Sequence, residues 1–517
     1  MEIPSQPMLV DIPEQPAQQN RSAAQGQVRF RTVNRDQMMM ATIHVEELIA
    51  HDHKARAIWE LAGRMELGRF ATELRSVEGS AGRPAWDRRI LVSVWVYAYS
   101  EGISSAREIE RIMQWEPGLQ WLCGLGEINH HTLSDFRVEH KAALDELFAE
   151  LLAMLESAGV LSLEQVMHDG TKIQALAGAD TLRREKTLRV SLQAARELVA
   201  QMGDPSKDSP PQDRKQAARE RASRERLARL EAAEKELIAL QAGERSEQEK
   251  AEVRVSLQEP DARLMKHGNN AIMPSYNAQI STEAKNKIIV GAHLSQCSSD
   301  AQSLMPAMEE VVENLGKAPV QVVVDGGFTN RDNIVQCAAQ QIDLVGSLRD
   351  AKERTTAAMK SLGIAPEFAP SEFHILDNGD RLQCPAGFDL KRLRKNRKRG
   401  DLYQQYQARG EDCQACRYQR QCCPKKPERG RTVSIRLEER AEVASFRKKM
   451  EQDEYRAVYK KRGAVAEFPN AWIKDKLGLR KFRVRGLAKA GSELLWACLT
   501  YNIMQWTRLI WRQPVTA

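Results

Sequence analysis

Two aspartates follow short apolar runs that are typical of buried strands. Asp169 comes directly after Val166-Met167-His168, and Asp325 comes after three consecutive valines. We therefore expect both carboxylates at the carboxyl ends of strands, where the glycine that follows each of them lets the backbone approach closely. An Asp-Gly pair is also common in ordinary turns, so either aspartate alone is weak evidence of a functional site.

A third acid, Glu467, lies in a segment of helical character near the carboxyl end of the chain. Carboxylates that lie close together repel one another unless a cation lies between them, and Mg²⁺ prefers hard oxygen ligands. Such a group of acids can hold two divalent ions about 3.5 to 4 Å apart, one beside an attacking oxygen and one beside a leaving oxygen. Asp169, Asp325 and Glu467 together would therefore suit in-line displacement at phosphorus.

The segment around Glu467 contains the most specific pattern in the sequence. It has Tyr459, Arg462, Glu467 and Lys474, separated by two, four and six residues. On a helix the first two share a face, and so do the last two, although Pro469 could interrupt the helix. A helix with an ordinary salt bridge is the alternative interpretation. The four residues resemble the Tyr-Arg-Glu-Lys signature of the DDE transposases of bacterial insertion sequences.

This resemblance implies a role for each residue of the signature. The three acids would be the catalytic residues and would hold two Mg²⁺ or Mn²⁺ ions. Arg462 and Lys474 would hold phosphates of the transposon end, and Tyr459 would orient its terminal nucleotides. The resemblance covers about residues 45 to 510, and Phe328 takes a place after Asp325 where Tyr is commoner.

The resemblance also implies the reaction and the partners. The enzyme would cleave double-stranded DNA at the terminal inverted repeats, free a 3′-hydroxyl and transfer that strand into target DNA, with a homodimer uniting the two ends. A domesticated DNA-binding protein that no longer cuts, and an RNase H-like nuclease without strand transfer, are the alternatives.

Clustered positive charge supports a nucleic-acid partner. The chain has 77 Lys and Arg against 70 Asp and Glu, so the excess of +7 matters through its clustering. Seven of the nine residues from 391 to 399 are basic, and Lys481, Arg483 and Arg485 form a second group. Such patches are typical of DNA-binding proteins, although a charged stretch is often only a solvated surface.

The nine cysteines are an odd number, which argues against a framework of disulfides. Cys413 and Cys416 have the two-residue gap that lets two thiolates hold one tetrahedral ion. Cys384 and either Cys422 or Cys423 could complete four ligands. We therefore expect a structural Zn²⁺, with reduced cysteines on a loop as the alternative.

No histidine is predicted to act in catalysis. His130 and His131 are adjacent in a helical region, and His168 directly precedes Asp169. Since neighbouring residues of a strand point to opposite faces, we expect His168 to pack away from the acids.

The chain is too long for one ordinary core. We expect an α/β protein in which an RNase H-like mixed-sheet catalytic domain follows an all-α N-terminal region and is interrupted by a helical hairpin. The predicted strand and helix order, β-β-β-α-β-α-β, resembles that fold. The predicted segments are a disordered N-terminal tail (1–40), a helical, helix-turn-helix-like DNA-binding domain (41–160), a coiled-coil hairpin insertion (180–258), a basic cysteine-rich insertion (351–440) and the DDE catalytic domain (161–350 and 441–517).

Two of these segments have alternative interpretations. The N-terminal helices could equally be a packing domain that touches no DNA, and the hairpin could grip DNA or mediate dimerisation. No apolar run of signal-peptide length opens the chain, and the apolar stretch 494–511 is interrupted by polar residues, which is typical of a core helix. We expect a bacterial cytoplasmic protein that associates with the nucleoid when it binds DNA.

Overall fold

The computed structural model describes residues 35, 36, 38, 42–70, 84–202, 214–243, 246–348, 359–398 and 401–512. The tail predicted to be disordered, residues 1–40, lies outside the described residues except for three positions. Contacts divide the chain into the units Met1–His44 and Val45–Ala517. Few residues of the first unit are described, and the architecture below is that of the second.

The second unit contains both helices and strands. The described helices are α1 Lys54–Ala62, α2 Arg88–Ser100, α3 Ala106–Ile112, α4 Pro117–Cys123, α5 His130–Glu139, α6 Lys141–Ser157, α7 Glu185–Gln201, α8 Arg214–Gln241, α9 Glu247–Glu252, α10 Leu304–Leu315, α11 Arg331–Ala339, α12 Gly410–Ala415, α13 Gln419–Cys422, α14 Ala441–Met450, α15 Asp453–Lys460, α16 Phe468–Asp475 and α17 Leu487–Trp506. The described strands are β1 Gln165–Gln174, β2 Leu182–Arg183, β3 Val255–Ser256, β4 Arg263–Lys266, β5 Ile272–Glu283, β6 Ile289–Ser295, β7 Gln321–Val324, β8 Asp343–Gly346, β9 His374–Leu376, β10 Arg381–Gln383, β11 Asp389–Lys398, β12 Asp401–Gln407 and β13 Thr432–Glu438.

The central sheet has the order β6-β5-β1-β7-β8, and β4 pairs with the first part of β5. Strands β6, β5 and β1 are antiparallel neighbours, whereas β1, β7 and β8 are parallel. Parallel neighbours need crossover connections, and α10 and α11 lie between the strands that they join. The predicted order β-β-β-α-β-α-β is confirmed, and with it an α/β fold of RNase H-like type.

The N-terminal region is helical from α1 to α6, as predicted. Its helices begin at polar caps: the Ser105 side chain accepts a hydrogen bond from the Glu108 N–H, and Asn129 does the same for Thr132. Such caps satisfy backbone donors that a helix leaves open. Helix α2 is buried on most sides, which is typical of a helix at the centre of a bundle.

The segment in which a hairpin is predicted contains the long helices α7 and α8, which pack against each other. Leu188 and Leu192 of α7 meet Leu230 and Leu237 of α8 in a small core that is separate from the main one. Strands β2 and β3 pair at the base, with Leu182 opposite Ser256. The two ends of this insertion therefore lie side by side.

The basic, cysteine-rich segment folds around a second sheet of order β13-β12-β11-β10-β9. Its core includes Leu382, Leu390, Tyr406 and Val433. Most of the predicted basic run lies on β11, whose side chains are largely exposed. The charge and the cysteines of this segment are evident in the sequence, but its sheet was not predicted.

Helix α17 lies at the centre of the molecule. Of its twenty residues, those from Ser492 to Ile503 are all buried, and it contacts α2, α5, α6, α16 and β6. One continuous core therefore includes the N-terminal helices and the central sheet. The helix continues into a π-helical turn, Thr507–Trp511. Within the described part of the chain, every helix is too short or too polar to span a bilayer.

A buried ion pair connects the N-terminal helices to α17. Arg137 Nη1 of α5 lies 3.6 Å from Glu493 Oε1, and both side chains are almost fully buried. Arg137 also donates to the Ser104 carbonyl (2.7 Å), and Glu493 Oε2 accepts from the Arg483 N–H (2.8 Å). Burial raises the pKa of Glu493, and the Arg137 charge opposes that shift.

Replacing Arg137 with Met should lower the free energy of unfolding by about 3 kcal/mol, because it leaves a buried carboxylate without its opposing charge. The double variant Arg137→Met/Glu493→Gln should recover part of that loss. Urea unfolding of the wild type, both single variants and the double variant completes the cycle. Equal stability of Arg137→Met and the wild type would show that the pair does not stabilise this junction.

Candidate active site

Asp169 lies in the middle of β1 and not at its end. It is opposite Ile280 of β5, whose antiparallel pairing with β1 continues to Gln174. The expectation of a strand end is therefore wrong for Asp169, because β5 extends β1 beyond the last parallel pair with β7, Met167 and Val323. Asp169 shares a face with Met167, which packs against the segment that contains Glu467.

Asp325 directly follows β7, as predicted. Its Oδ1 accepts hydrogen bonds from the backbone N–H groups of Gly327 (2.7 Å) and Phe328 (3.3 Å). A Cβ at Gly327 would lie only 2.9 Å from that oxygen, so a larger residue there would displace the carboxylate. The carboxylate is therefore held at the carboxyl end of a parallel strand, where open α/β sheets form their sites.

His168 supports the turn of Asp325 from the other face of the sheet. Its ring is fully buried, lies 2.9 Å from both Ser281 Oγ and Gln279 Oε1, and meets the Phe328 ring edge-on at 4.8 Å. Burial lowers the pKa of His168 to about 3, so the ring is neutral at physiological pH. The His168 ring points away from the acids, as predicted, and packs against Phe328.

Glu467 is the last residue of a π-helical turn, Gly463–Glu467, that joins α15 to α16. Residues five apart share a face in a π-turn, so Arg462 and Glu467 meet: Arg462 Nη2 lies 3.7 Å from Glu467 Oε1. Arg462 Nη1 also lies 3.9 Å from Asp169 Oδ1. Pro469 causes no interruption, because it occupies the first turn of α16, where proline is tolerated.

The surroundings of Asp169 perturb the pKa of its carboxyl group. Burial raises the pKa of Asp169 to about 6; the Arg462 charge opposes this, and the charges of Asp325 and Glu467 add to it. The acids therefore influence one another electrostatically. A divalent cation would offset this repulsion, and three carboxylates are suitable oxygen donors for Mg²⁺. In this conformation, no three His, Cys, Asp or Glu side chains of the described residues are grouped closely enough to hold a metal ion.

Asn470 is a further residue beside the acids that was not predicted from the sequence. Its Nδ2 donates to Asp169 Oδ2 at 3.2 Å, its side chain is nearly buried, and its Oδ1 has no hydrogen-bond partner among the described residues. Asn470 follows Glu467 by three residues and precedes Lys474 by four, so all three share a face of the helix. That spacing is the signal that could have identified it.

The predicted DNA-contacting residues of the signature flank the acids. Lys474 Nζ donates to Thr171 Oγ1 at 2.5 Å on β1, and burial lowers the pKa of Lys474, with a further contribution from Arg480. Tyr459 is half-buried and packs against the cluster that contains Met167. Lys474 therefore contacts β1 at Thr171, which lies two residues beyond Asp169 on the same face of the strand.

The second basic group lies on an extended segment at the end of β1. Lys481 forms a bridge with Gln174, and the Phe482 N–H donates to the Gln174 carbonyl at 2.9 Å. Phe482 is buried, whereas Lys481, Arg483 and Arg485 are exposed. The alternation places the three cations on one outward face.

All five clustered cysteines, Cys384, Cys413, Cys416, Cys422 and Cys423, line one small cavity beside the second sheet. Three sulfur atoms accept backbone hydrogen bonds: Cys384 from Phe388 (3.3 Å), Cys413 from Arg431 (3.3 Å) and Cys416 from Tyr418 (3.4 Å). Cys423 instead donates to the Lys426 carbonyl. None of the nine cysteines forms a disulfide.

The RNase H-like sheet thus bears acids on β1 and after β7, and a third acid ends the π-turn before α16. Two family models match the chain. One, described as "Transposase DDE domain", matches residues 383–507, and the other, "Transposase domain (DUF772)", matches residues 43–139. No curated protein matches the chain. The two family matches confirm the resemblance to the DDE transposases of insertion sequences.

Replacing Asp169 with Asn should raise the free energy of unfolding of the metal-free protein at pH 7 by on the order of 2 kcal/mol. The folded-state pKa of about 6 lies above the ordinary value of 3.8, so the wild type loses stability as pH rises between these values. The variant should lack this loss.

Urea unfolding in EDTA from pH 4 to pH 8 measures this effect. The matched control is Asp135→Asn, which changes an exposed acid of α5. Parallel pH profiles of wild type and Asp169→Asn would contradict the assigned environment of Asp169.

Proposed function

We propose that this protein is a transposase that binds the ends of an insertion sequence, cleaves them to free a 3′-hydroxyl, and transfers that strand into target DNA. The observation that carries the proposal is the position of Arg462, which the π-turn brings within 4 Å of both Asp169 and Glu467. The signature is thereby joined to the acid of β1 across about 300 residues of sequence.

The three acids would hold divalent metal ions, which would activate the attacking oxygen and stabilise the leaving oxygen at phosphorus. Asn470 donates a hydrogen bond to one oxygen of the Asp169 carboxylate. The backbone N–H groups of Gly327 and Phe328 donate to the Asp325 carboxylate. These contacts orient the carboxylates of Asp169 and Asp325 before DNA arrives, which lowers the cost of reaching a reactive geometry.

Arg462 and Lys474 would bind phosphate groups of the transposon end. Arg462 pairs with two acids at 3.7 and 3.9 Å, distances longer than those of a strong charge-assisted hydrogen bond. Its planar group can therefore shift to a phosphate at small cost, with bidentate geometry. Lys481, Arg483 and Arg485 would extend this contact along the DNA, and Tyr459 would orient the terminal nucleotides.

The helices before β1 would contribute DNA recognition, since the region from α1 to α5 matches a family model with a transposase description. The partners would be terminal inverted repeats and target DNA, and a homodimer would unite two ends. The protein would act in the bacterial cytoplasm, on the nucleoid. The hairpin of α7 and α8 is assigned no DNA contact.

Replacing Asp325 with Asn, or Glu467 with Gln, should lower the cleavage rate about 1000-fold, equivalent to about 4 kcal/mol of transition-state stabilisation. DNA binding should stay within a factor of about two, because neither change removes a positive charge. Labelled duplexes that carry the ends of the element, incubated with Mg²⁺ or Mn²⁺, report both quantities.

The control is Glu313→Gln, which changes an exposed acid of α10. Cleavage followed by joining supports the transposase. Binding without any cleavage by the wild type would instead indicate a domesticated DNA-binding protein, and cleavage without joining a nuclease. Full cutting by Asp325→Asn would remove that residue from the mechanism.

We also propose a structural Zn²⁺ held by Cys384, Cys413, Cys416 and Cys422, with Cys423 as the alternative fourth ligand. Backbone N–H groups donate to three of these sulfurs and orient them, as second-sphere contacts of metal sites do. A bound ion would connect the ends of β10 and β11 with α12 and α13.

Protein purified without chelators should contain about one zinc per chain, and Cys413→Ser should contain none, as measured by elemental analysis. Comparison of Cys422→Ser with Cys423→Ser identifies the fourth ligand, and the exposed Cys297→Ser is the control. Wild-type protein that is folded and free of zinc would overturn this assignment.

A further inference from the structure

A broad cleft opens on the side of α16 that faces away from Asp169. The turn between β5 and β6, the exposed ring of Phe468, and the segment from Met504 to Arg512 form its walls, together with Ser100. The volume of the cleft is about 670 Å³. Phe468 and Trp472 are four residues apart and line the cleft, whereas Asn470 and Lys474 of the same helix contact β1.

The charged side chains that line the cleft, among the described residues, are all cationic. The cationic side chains that line it are Lys54, Lys285, Lys287, Arg508 and Arg512. Among the described residues no acid lines the cleft, although Lys54 is paired with Glu101 at 2.5 Å just outside it. A concave surface with this charge attracts a polyanion.

The turn that carries two of the lysines is held firmly in an unusual conformation. Lys287 has a φ of +60°, which non-glycine residues seldom adopt. The Tyr501 hydroxyl donates to the Lys287 carbonyl at 2.8 Å, and the Glu283 carboxylate accepts the N–H groups of Lys285 and Asn286, also at 2.8 Å. A strained backbone that its surroundings fix so completely is typical of a ligand-binding segment.

An aromatic ring accompanies these cations. Phe468 is 37% exposed, directly follows Glu467, and has Lys287 Nζ 4.3 Å from its ring centroid. Trp472 lies behind it, with the two ring centroids 5.8 Å apart. Cations along a groove with an exposed aromatic ring are the features with which proteins bind single-stranded nucleic acid, since phosphates meet the cations and a base stacks on the ring.

We propose that this cleft binds a single strand of DNA, with phosphates against Lys285, Lys287 and Arg512 and a base against Phe468. The assignment rests on the proposed function, because the strand would be one that leaves the duplex beside Glu467. The two faces of α16 would then separate the strand under reaction from the strand that the cleft holds.

The experiment measures the affinity of the full-length chain for a fluorescent 15-nucleotide oligo(dT) in EDTA, over a series of KCl concentrations. The double variant Lys285→Gln/Lys287→Asn removes two charges, and asparagine tolerates the positive φ at position 287. Its binding should be about tenfold weaker at low salt, and the slope of log K against log salt should fall by about 1.4.

Phe468→Leu tests the stacking contact separately. It should weaken binding about tenfold and leave the salt slope unchanged, because no charge is removed. The matched charge control is Lys317→Gln, which lies outside the cleft and pairs with Glu156. Circular dichroism and thermal unfolding confirm that each variant is folded.

An unchanged salt slope in the folded double variant would overturn the proposal. So would a loss of affinity for a 15-base-pair duplex that equals or exceeds the loss for oligo(dT). The measurement needs neither metal nor cleavage, so its outcome does not depend on catalysis. Wild-type protein that binds oligo(dT) as expected but does not cleave the ends of the element would contradict the proposed catalysis and leave the cleft assignment intact.

Discussion

Burial of α17 is the constraint on which the rest of the structure depends. Twelve consecutive residues of this helix, from Ser492 to Ile503, have almost no contact with solvent. The helix must therefore be covered on every side, by N-terminal helices, by β6 and by α16. Because the same core reaches from α1 to the sheet, the helical region and the sheet cannot shift independently without exposing large apolar side chains. Arg137 and Glu493 form a buried ion pair across that junction.

The acids depend on this packing through α16. That short helix lies between α17 and β1, contacts Tyr501 through Trp472, and holds Asp169 through Asn470. The π-turn before it carries Glu467 and places Arg462 between two carboxylates. The fold therefore buries Asp169 and holds it near two other acids, and both effects raise its pKa. The structure stabilises the helices around the site well enough to retain an electrostatically unfavourable group, which is a common property of functional sites.

Much of the fold was predictable because the signals were local. Runs such as Val322 to Val324 predict buried strands, and their order along the chain predicts the RNase H-like sheet. Asp169 was placed at a strand end because nothing near it indicates that β5 pairs with β1 as far as Gln174. The register of Arg462 and Glu467 was missed for a related reason: a π-turn changes which residues share a face, and no residue type in the sequence signals it.

Other parts depended on contacts distant in sequence. The sheet around β11 was not predicted because most residues of β11 are basic. The alternation of apolar and polar residues that predicts strands is therefore absent. The cleft beside Phe468 combines residues from the first helix, the middle of the chain and its end, and no motif joins them. The cysteines were the reverse case, since their spacing alone predicts that they lie near one another, as all five do around one cavity.

The paired ends of the helical insertion have a consequence for the history of the protein. Leu182 and Ser256 are directly opposite each other, and the helices between them are stabilised by their own leucines. A gene segment that encodes such a unit can be gained, lengthened or lost in one event, because the strands on either side meet the same neighbours with or without it. Related enzymes with short loops at this position would therefore be expected to keep the same catalytic framework.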